Sequence, residues 1–209
     1  LIRAELYLPS IRRIFREAKV PSELVYLPHV ESSFNPTAVS RAGAVGLWQL
    51  TRGTFEYYDK GEGSADGRFD PVRSAEVAAL HLVRARGVLG SWPLAVASYN
   101  HGVAGMVRAR AAGGDSLDDI VRGYDGAGFG FASRNFYAEV LAAAHVAIHA
   151  RQYFPDMPQP PTLQYVVRPG DSLWTIARRH RVSVRDLTVA NNLGGSRLRT
   201  GQLIVIKTS

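Results

Sequence analysis

The 209-residue sequence contains no cysteine, which excludes a disulfide framework and any metal site built on thiolates. It has no stretch long and apolar enough to span a bilayer, and no secretory leader precedes Leu1, so we expect a mature or truncated chain. His101 lacks partner carboxylates at ligand spacing, so we interpret it as structural and expect neither a metal nor a cofactor. These absences leave the cellular compartment open.

The excess of positive charge is concentrated near the C-terminus. Residues 1–150 hold 16 Lys and Arg against 15 Asp and Glu, whereas residues 151–209 hold 9 against 3. A basic module could bind nucleic acid, but the interleaved aromatic residues of a single-strand binder are missing. We therefore expect no nucleic-acid partner, and weak attraction to an anionic polymer or membrane surface fits the charge equally well.

Length and composition predict one medium domain and one small domain. With 46% hydrophobic residues, the chain can bury a sizeable core. The segment YFPDMPQPPTL at 153–163 holds four prolines, which favour an extended polyproline linker. We expect a first domain at 1–150, a linker at 151–163 and a second domain at 164–208.

The first domain is predicted to be all-α. Asp70 followed by Pro71 is a strong helix start, because Asp caps the free N–H groups and Pro suits the first helical position. Alanine-rich stretches favour close helix packing, and the Gly43–Gly46 segment reads as a loop. The predicted helices are Ser10–Lys19, Pro21–Phe34, Pro71–Arg86, Pro93–Tyr99 and Arg134–Ala150.

Glu31 is the candidate catalytic residue. At helical spacing, Leu24 and Leu27 share a face with Glu31, so the carboxyl projects from an apolar surface. Poor solvation raises the pKa of a Glu, and a Glu that is protonated near neutral pH can act as a general acid. The alternative is a glutamate at the core edge with its head group in water.

Three segments together resemble the family 1 lytic transglycosylases, enzymes that cleave bacterial peptidoglycan. They are PSELVYLPHVESSFNPTAVSRAGAVGLWQ at 21–49, AVASYN at 95–100 and FYAEVLA at 136–142. The GLWQ form is similar to the branch called membrane-bound lytic murein transglycosylase D. The resemblance implies a goose-type lysozyme fold for the first domain, with Glu31 as its catalytic residue. It also implies five substrate-binding residues: Ser40, Gln49, Tyr99, Asn100 and Tyr137.

The resemblance implies a mechanism with one carboxyl group, although glycoside cleavage ordinarily needs two. Glu31 would protonate the glycosidic oxygen and then, as a carboxylate, take a proton from the C6 hydroxyl of muramic acid. That oxygen would attack C1 and give a 1,6-anhydro end. The nearby acidic residues match no catalytic position of the family; they are Glu56, Asp59, Asp66 and Asp70. For each polar candidate, the alternative is a side chain satisfied at the core edge.

The second domain reads as strand, helix, helix, strand. Gln164–Val167 and Leu203–Ile206 are the predicted strands, and Val184–Ala190 is the second helix. Either Asp171 or Ser172 would cap the first helix. The opening YVVRPGDSLWTIA and the ending LRTGQLIVI resemble a LysM domain, which implies binding of N-acetylglucosamine-containing glycans such as peptidoglycan or chitin.

The implied sugar groove lies between the first turn and the loop after the second helix. Its residues each have a structural alternative, since Gly170 could simply allow a turn and Leu173 could be core. Trp174 is expected to anchor the small core rather than to stack on sugar. The groove residues are Gly170, Asp171, Ser172, Leu173, Asn192 and Leu193.

The sequence therefore predicts a mainly α chain, in which a lysozyme-like all-α catalytic domain precedes a small βααβ LysM domain. We expect a monomeric lytic transglycosylase of the periplasm or cell envelope that cleaves the MurNAc-GlcNAc β-1,4 bond and is held on the wall by LysM. Membrane anchoring through a preceding segment is possible. Two alternatives stay open: a lysozyme-like hydrolase of the same fold, and a wall-binding protein without activity.

Overall fold

The computed structural model describes residues 1–61, 66–157, 162–180, 182–191, 193 and 195–207. Up to residue 157 the described part is mainly helical, with short 3₁₀ turns at Ser22–Tyr26 and Gly67–Phe69 and isolated β-bridges that join Val45 to Val39 and to Leu50. The helices there are α1 Ile2–Glu5, α2 Leu8–Glu17, α3 Pro28–Ser32, α4 Arg52–Tyr58, α5 Pro71–Leu89, α6 Trp92–His101, α7 Val103–Gly113, α8 Leu117–Gly123, α9 Phe131–Ile148 and α10 Ala150–Tyr153.

The main apolar core lies where α2, α5, α6 and α9 meet. Several alanines of α5 and α6 are buried, which lets these helix backbones approach closely. As predicted, α5 begins behind the Asp70 carboxylate, which accepts the N–H groups of Val72 and Arg73 at 2.8 and 2.9 Å. A second apolar cluster packs α7 and α8 onto the ends of α5 and α6.

The prediction of one helix from Pro21 to Phe34 is wrong. A 3₁₀ turn ends at Tyr26, and α3 then begins at Pro28 and ends at Ser32. Pro28 has no N–H to donate to the Leu24 carbonyl, which instead accepts the Leu27 N–H at 3.2 Å. Leu24 and Leu27 are nevertheless buried. The apolar surface expected beneath Glu31 therefore forms from two short helical pieces.

The C-terminal domain has the predicted strand, helix, helix, strand order. Strand β1, Thr162–Val166, pairs antiparallel with β2, Leu203–Lys207, so that Gln164 lies opposite Val205. Helices α11, Leu173–His180, and α12, Val184–Ala190, complete the unit. Its core consists of Tyr165, Val167, Leu173, Ile176, Ala177, Leu187, Ile204 and Ile206.

Trp174 does not belong to that core, and the prediction that it anchors the domain is wrong. The indole is 59% exposed. Helical periodicity explains this, because Leu173, Ile176 and Ala177 point inward and the residue after Leu173 falls on the other side. The core is filled instead from the strands.

The segment predicted as a linker contains helix α10 at its start, and residues 158–161 lie outside the described part. No helix in the described ranges is both long and apolar enough to cross a membrane.

Candidate active site

Glu31 lies on α3, directly over the buried side chains of the main core. Its carboxyl is half-buried, and this burial raises its pKa to about 7. The cause is desolvation, which disfavours the charged form of an acid. Near neutral pH the carboxyl therefore exists in both its protonated and its ionised form. A residue that first donates a proton and then accepts one needs both forms.

The end of α3 is held in an unusual backbone conformation. Ser33 and Phe34 have φ values of 52° and 56°, in the left-handed region that non-glycine residues rarely adopt. Phe34 is fully buried, and its ring meets His29 edge-on with 4.6 Å between ring centroids. Packing therefore fixes the chain just after Glu31.

Ser32 ties α3 to the GLWQ segment. Its hydroxyl donates to the Leu47 carbonyl at 2.8 Å and accepts the Asn35 N–H at 3.2 Å. From the sequence, Ser32 is expected only to finish the helix, and α3 does end at this residue. The bond sets the distance between the acid and the loop that follows.

The GLWQ segment forms a tight turn that only glycine permits at its first position. Gly46 has a φ of 78°, and a Cβ there would lie 2.2 Å from the Arg68 carbonyl oxygen. Val45 and Leu50 exchange two N–H to carbonyl bonds of 3.2 Å across the turn. Trp48 at its tip is fully buried. The turn is thereby anchored in the main core.

Arg68 also holds this turn in place, and the sequence patterns did not predict a role for it. Its buried guanidinium donates to the carbonyls of Gly43 and Leu50 at 3.0 and 3.3 Å. It also pairs with Asp66 at 2.6 Å, and the hydrogen bond from Arg68 is the main cause of a lowered Asp66 pKa. These contacts join residues 18 and 25 positions apart, so local sequence patterns carry no signal for them.

Gln49 and Tyr99 are both hydrogen-bonded to the backbone of the GLWQ turn. The Gln49 amide nitrogen donates to the carbonyls of Gly46 and Ala38 at 3.0 and 3.4 Å, which leaves its carbonyl oxygen as an acceptor. The Tyr99 hydroxyl donates to the Trp48 carbonyl at 2.9 Å. Burial and the charge of Glu31 hold the pKa of Tyr99 well above its usual value. The Tyr99 hydroxyl therefore lies within electrostatic reach of the Glu31 carboxyl.

An aromatic wall supports Tyr99 from α5 and α4. The His81 ring contacts Tyr99 edge-on at 5.6 Å, and its Nδ1 lies 3.4 Å from the Tyr58 hydroxyl. Burial lowers the pKa of His81 and raises that of Tyr58, so both side chains are neutral at neutral pH. Sequence patterns predicted a role in the site for neither His81 nor Tyr58.

The other predicted substrate residues are less closely gathered. The Ser40 hydroxyl accepts the Ala44 N–H at 3.0 Å within the loop. Asn100 is exposed and accepts the Ser133 hydroxyl at 2.8 Å. Tyr137 is half-buried on α9, which packs against α3. Among the described residues, no hydrogen bond joins any of these side chains to Glu31.

The four acidic residues near Glu31 in sequence are all engaged elsewhere. Glu56 pairs with Arg52 at 3.3 Å, and Asp59 pairs with Arg73 at 2.6 Å. Asp66 and Asp70 are held by Arg68 and by the start of α5, as described above. Within the described part of the chain, no cluster of His, Asp or Glu could hold a metal ion. None of these four carboxylates is thus available to act as a second catalytic group beside Glu31.

The comparison with known families agrees with this geometry. The family model described as "Transglycosylase SLT domain" matches residues 10–120, more than half of the chain. The chain belongs to this family. A model described as "LysM domain" matches residues 165–207 of the same SLT-family chain.

Curated relatives include the membrane-bound lytic murein transglycosylase D of Escherichia coli strain K12. It is 38% identical over 123 residues, which cover 56% of this chain and 27% of that protein. A putative tributyltin chloride resistance protein of Alteromonas sp. strain M-1 is 38% identical over 111 residues, covering 51% and 53%. The SLT-family chain thus spans about a quarter of the first of these relatives.

Among solved structures, lytic transglycosylase Slt of Pseudomonas aeruginosa, an inactive mutant, has the same fold. The TM-score is 0.54 at 23% identity, covering 73% of this chain and 25% of that one. The 70 kDa soluble lytic transglycosylase of Escherichia coli gives a TM-score of 0.54 at 22% identity, covering 72% and 25%. The lysozyme-like, mainly helical fold expected for the SLT domain is confirmed.

In the LysM domain the structure divides the predicted groove residues into two groups. Gly170, at φ 83°, and Ser172 are exposed, and Ser172 caps α11 by accepting the Thr175 N–H at 3.1 Å. Leu173 is 4% exposed and belongs to the core. Leu193 is half-buried against that core, and Asn192 lies outside the described residues.

Asp171 does not cap the helix, because its carboxylate is committed elsewhere. It accepts the Tyr165 hydroxyl at 2.6 Å and the Arg168 N–H at 2.8 Å, and its side chain is only 5% exposed. The bond from Tyr165 is the first cause of its lowered pKa. Asp171 therefore shapes the turn rather than presenting a charge to a ligand.

Proposed function

We propose that this SLT-family chain is a peptidoglycan lytic transglycosylase that cleaves the MurNAc-GlcNAc β-1,4 bond without water. The observation that carries the proposal is the half-buried Glu31 carboxyl with a pKa of about 7, while the four neighbouring carboxylates are bound to other groups. One group that is partly protonated at neutral pH can serve first as acid and then as base. A mechanism with two carboxylates has no second partner among these four.

In the first step, the protonated Glu31 donates its proton to the glycosidic oxygen. The bond between C1 and that oxygen breaks, and the leaving sugar departs with a free hydroxyl group. The positive charge that develops at C1 is relieved by the substrate's own N-acetyl group, toward which we place the Ser40 hydroxyl. The low local polarity that raises the pKa of Glu31 makes this proton transfer favourable.

In the second step, the Glu31 carboxylate removes the proton from the C6 hydroxyl as O6 attacks C1. The product is a 1,6-anhydromuramoyl end, and Glu31 is protonated again for the next cycle. Atoms and protons balance without water. Gln49, through its free carbonyl oxygen, and Tyr99, through its oxygen lone pairs, are proposed to hold the sugar over Glu31, with Asn100 and Tyr137 lining the cleft.

The LysM domain is proposed to hold the enzyme on glycan strands of the wall. Tethering raises the local concentration of an insoluble substrate around the cleft. This division of labour places the protein in the periplasm or elsewhere in the cell envelope. The positive charge of residues 151–209 favours the same anionic polymer.

Mass spectrometry of the muropeptides released from purified peptidoglycan tests the reaction. We expect products lighter than hydrolytic reducing ends by about 18 Da, the mass of one water, and none from Glu31→Gln. Hydrated reducing ends would show a lysozyme-like hydrolase instead. If neither protein releases products while both bind the polymer, the chain is a wall-binding protein.

A further inference from the structure

The LysM domain carries a large aromatic side chain on its outer surface. Trp174 is 59% exposed on α11, on the side of the helix opposite the buried Leu173 and Ile176. Leaving an indole in water forgoes the stabilisation that its burial would give in so small a core. An exposed tryptophan of this kind is typical of a contact residue rather than of a structural one.

Arg178 lies one helical turn further along the same face. Its guanidinium carbon is 5.2 Å from the centre of the Trp174 ring, a cation–π contact. Within the described residues, Arg178 has no acidic partner. The next residue differs: Arg179 donates to the Tyr165 hydroxyl at 2.5 Å and lies 3.5 Å from Asp171. Of these two neighbouring arginines, Arg178 is therefore the one that is free to pair with an external anion.

These two residues adjoin the turn predicted to bind sugar. Asp171 and Leu173 have their side chains committed to the interior, so what faces solvent beside Gly170 and Ser172 is the indole. A flat aromatic ring suits the apolar C–H face of a pyranose, and a planar guanidinium suits a carboxylate. The exposed surface thus offers one contact for a sugar ring and one for a negative charge.

We propose that Trp174 and Arg178 form a binding site for a carboxylate-bearing glycan. The sugar ring stacks on the indole, and Arg178 pairs with a carboxylate that peptidoglycan carries on its peptide stems. A neutral polymer such as chitin engages the indole alone. This inference rests on the proposed wall-binding function of the LysM domain and adds to it a means of discrimination between the two polymers.

An anionic membrane surface would share some of this chemistry, but the helix does not suit it. Interfacial helices bury a broad apolar face, whereas the outward side of α11 presents a single large apolar residue among arginines. The structure therefore favours the glycan.

The test measures binding of the whole chain carrying Glu31→Gln, which prevents cleavage, to purified sacculi and to chitin. We expect Trp174→Ala to weaken binding to both polymers about tenfold. Arg178→Ala is expected to weaken binding to sacculi about threefold at low salt and to leave chitin binding unchanged.

Two matched controls remove an equivalent group elsewhere in the domain. Leu203→Ala shortens a side chain that is 56% exposed on β2, and Arg185→Ala removes an exposed positive charge from α12. Both are expected to bind like the parent. Thermal unfolding of each variant, followed by circular dichroism, is expected to match the parent.

Four results would overturn the inference. If Trp174→Ala binds sacculi like the parent, the indole is not part of the binding site, although wall binding by the domain still stands. If Arg178→Ala and Arg185→Ala lose binding equally, the effect of Arg178 is one of net charge and not of a specific ion pair. Loss of binding to phosphatidylglycerol vesicles in Trp174→Ala, without loss on sacculi, would show a membrane contact. If the parent itself fails to bind sacculi, the wall-binding proposal falls and takes this inference with it.

Discussion

In the SLT domain the key side chain, Glu31, lies half-buried above an extensive apolar core, whereas in the LysM domain the candidate contacts Trp174 and Arg178 project into water. Both sites begin next to a left-handed residue, Ser33 in one domain and Gly170 in the other. The difference fits the tasks proposed for the two sites. Proton transfer needs a carboxyl group whose charge is poorly solvated, and glycan binding needs a surface that a polymer can reach.

Polar clamps that are themselves buried support both sites, but the apolar cores beside them differ in size. Arg68 in the SLT domain is buried and holds the backbone carbonyls of Gly43 and Leu50, on either side of the GLWQ turn. In the LysM domain, the pair of Tyr165 and Asp171 holds a turn beside a core of eight residues. Perturbations are therefore expected to cost more in the first domain than in the second.

The largest expected effect comes from Glu31→Gln, which removes the transferable proton. We expect the rate of muropeptide release at about pH 6 to fall about 10³-fold or more, because one residue serves both steps. Glu23→Gln, on the exposed side of the neighbouring 3₁₀ turn, is the matched control and is expected to keep the parental rate. A Glu31→Gln enzyme within tenfold of the parent would exclude Glu31 as the acid.

Arg68→Met is expected to destabilise the fold by about 3 kcal/mol, because it leaves two carbonyls and Asp66 without their partner. Asp66 is 28% exposed, so water compensates part of the loss. Arg13→Met, which removes an exposed pair with Glu17, is expected to change stability by about 0.5 kcal/mol at most. Urea unfolding of both variants measures the difference, and equal values would deny Arg68 its clamping role.

The burial of Glu31 makes stability depend on pH in a defined direction. Its pKa is about 7 in the folded chain against an ordinary 4.5, so the folded state binds more protons between these values and stability falls as pH rises through them. We expect Glu31→Gln to exceed the parent by on the order of 2 kcal/mol above about pH 8 and to match it near pH 4. Urea unfolding at both pH values measures this difference. Equal free energies of unfolding for the two proteins at both pH values would contradict the burial of Glu31.

The smallest expected effect is that of deleting residues 164–209. Binding to intact sacculi is expected to weaken about tenfold, while the rate on soluble muropeptides stays the same, because only the polymer benefits from tethering. Equal loss on both substrates would show that the LysM domain supports the catalytic domain directly.

Sequence patterns predicted elements that depend on local chemistry. The start of α5 behind Asp70, the strand and helix order of the LysM domain and the apolar surface beneath Glu31 follow from capping and periodicity. Two predictions were wrong although the sequence carried the signal. Pro28 cannot donate the helical hydrogen bond, so it marks the interruption of the helix predicted at Pro21–Phe34. The outward position of Trp174 follows from the same periodicity that predicts its buried neighbours.

The supporting contacts of the candidate site could not be read in this way. Arg68 reaches across 25 residues to Gly43, and Tyr99 reaches across 51 residues to Trp48. Which polar side chain fills such a position depends on how the helices pack, not on its neighbours in sequence. The sequence therefore indicates the acid, and the packing shows how it is held.

The left-handed conformations of Ser33 and Phe34 have a consequence for heating. Each non-glycine residue in this region costs about 1–3 kcal/mol, and here the burial of Phe34 and the bond from Ser32 offset that cost. The segment has no reason to keep its shape once the core around Phe34 loosens. On heating, catalytic activity and native structure are thus expected to be lost at the same temperature, without a partly unfolded state that is still active.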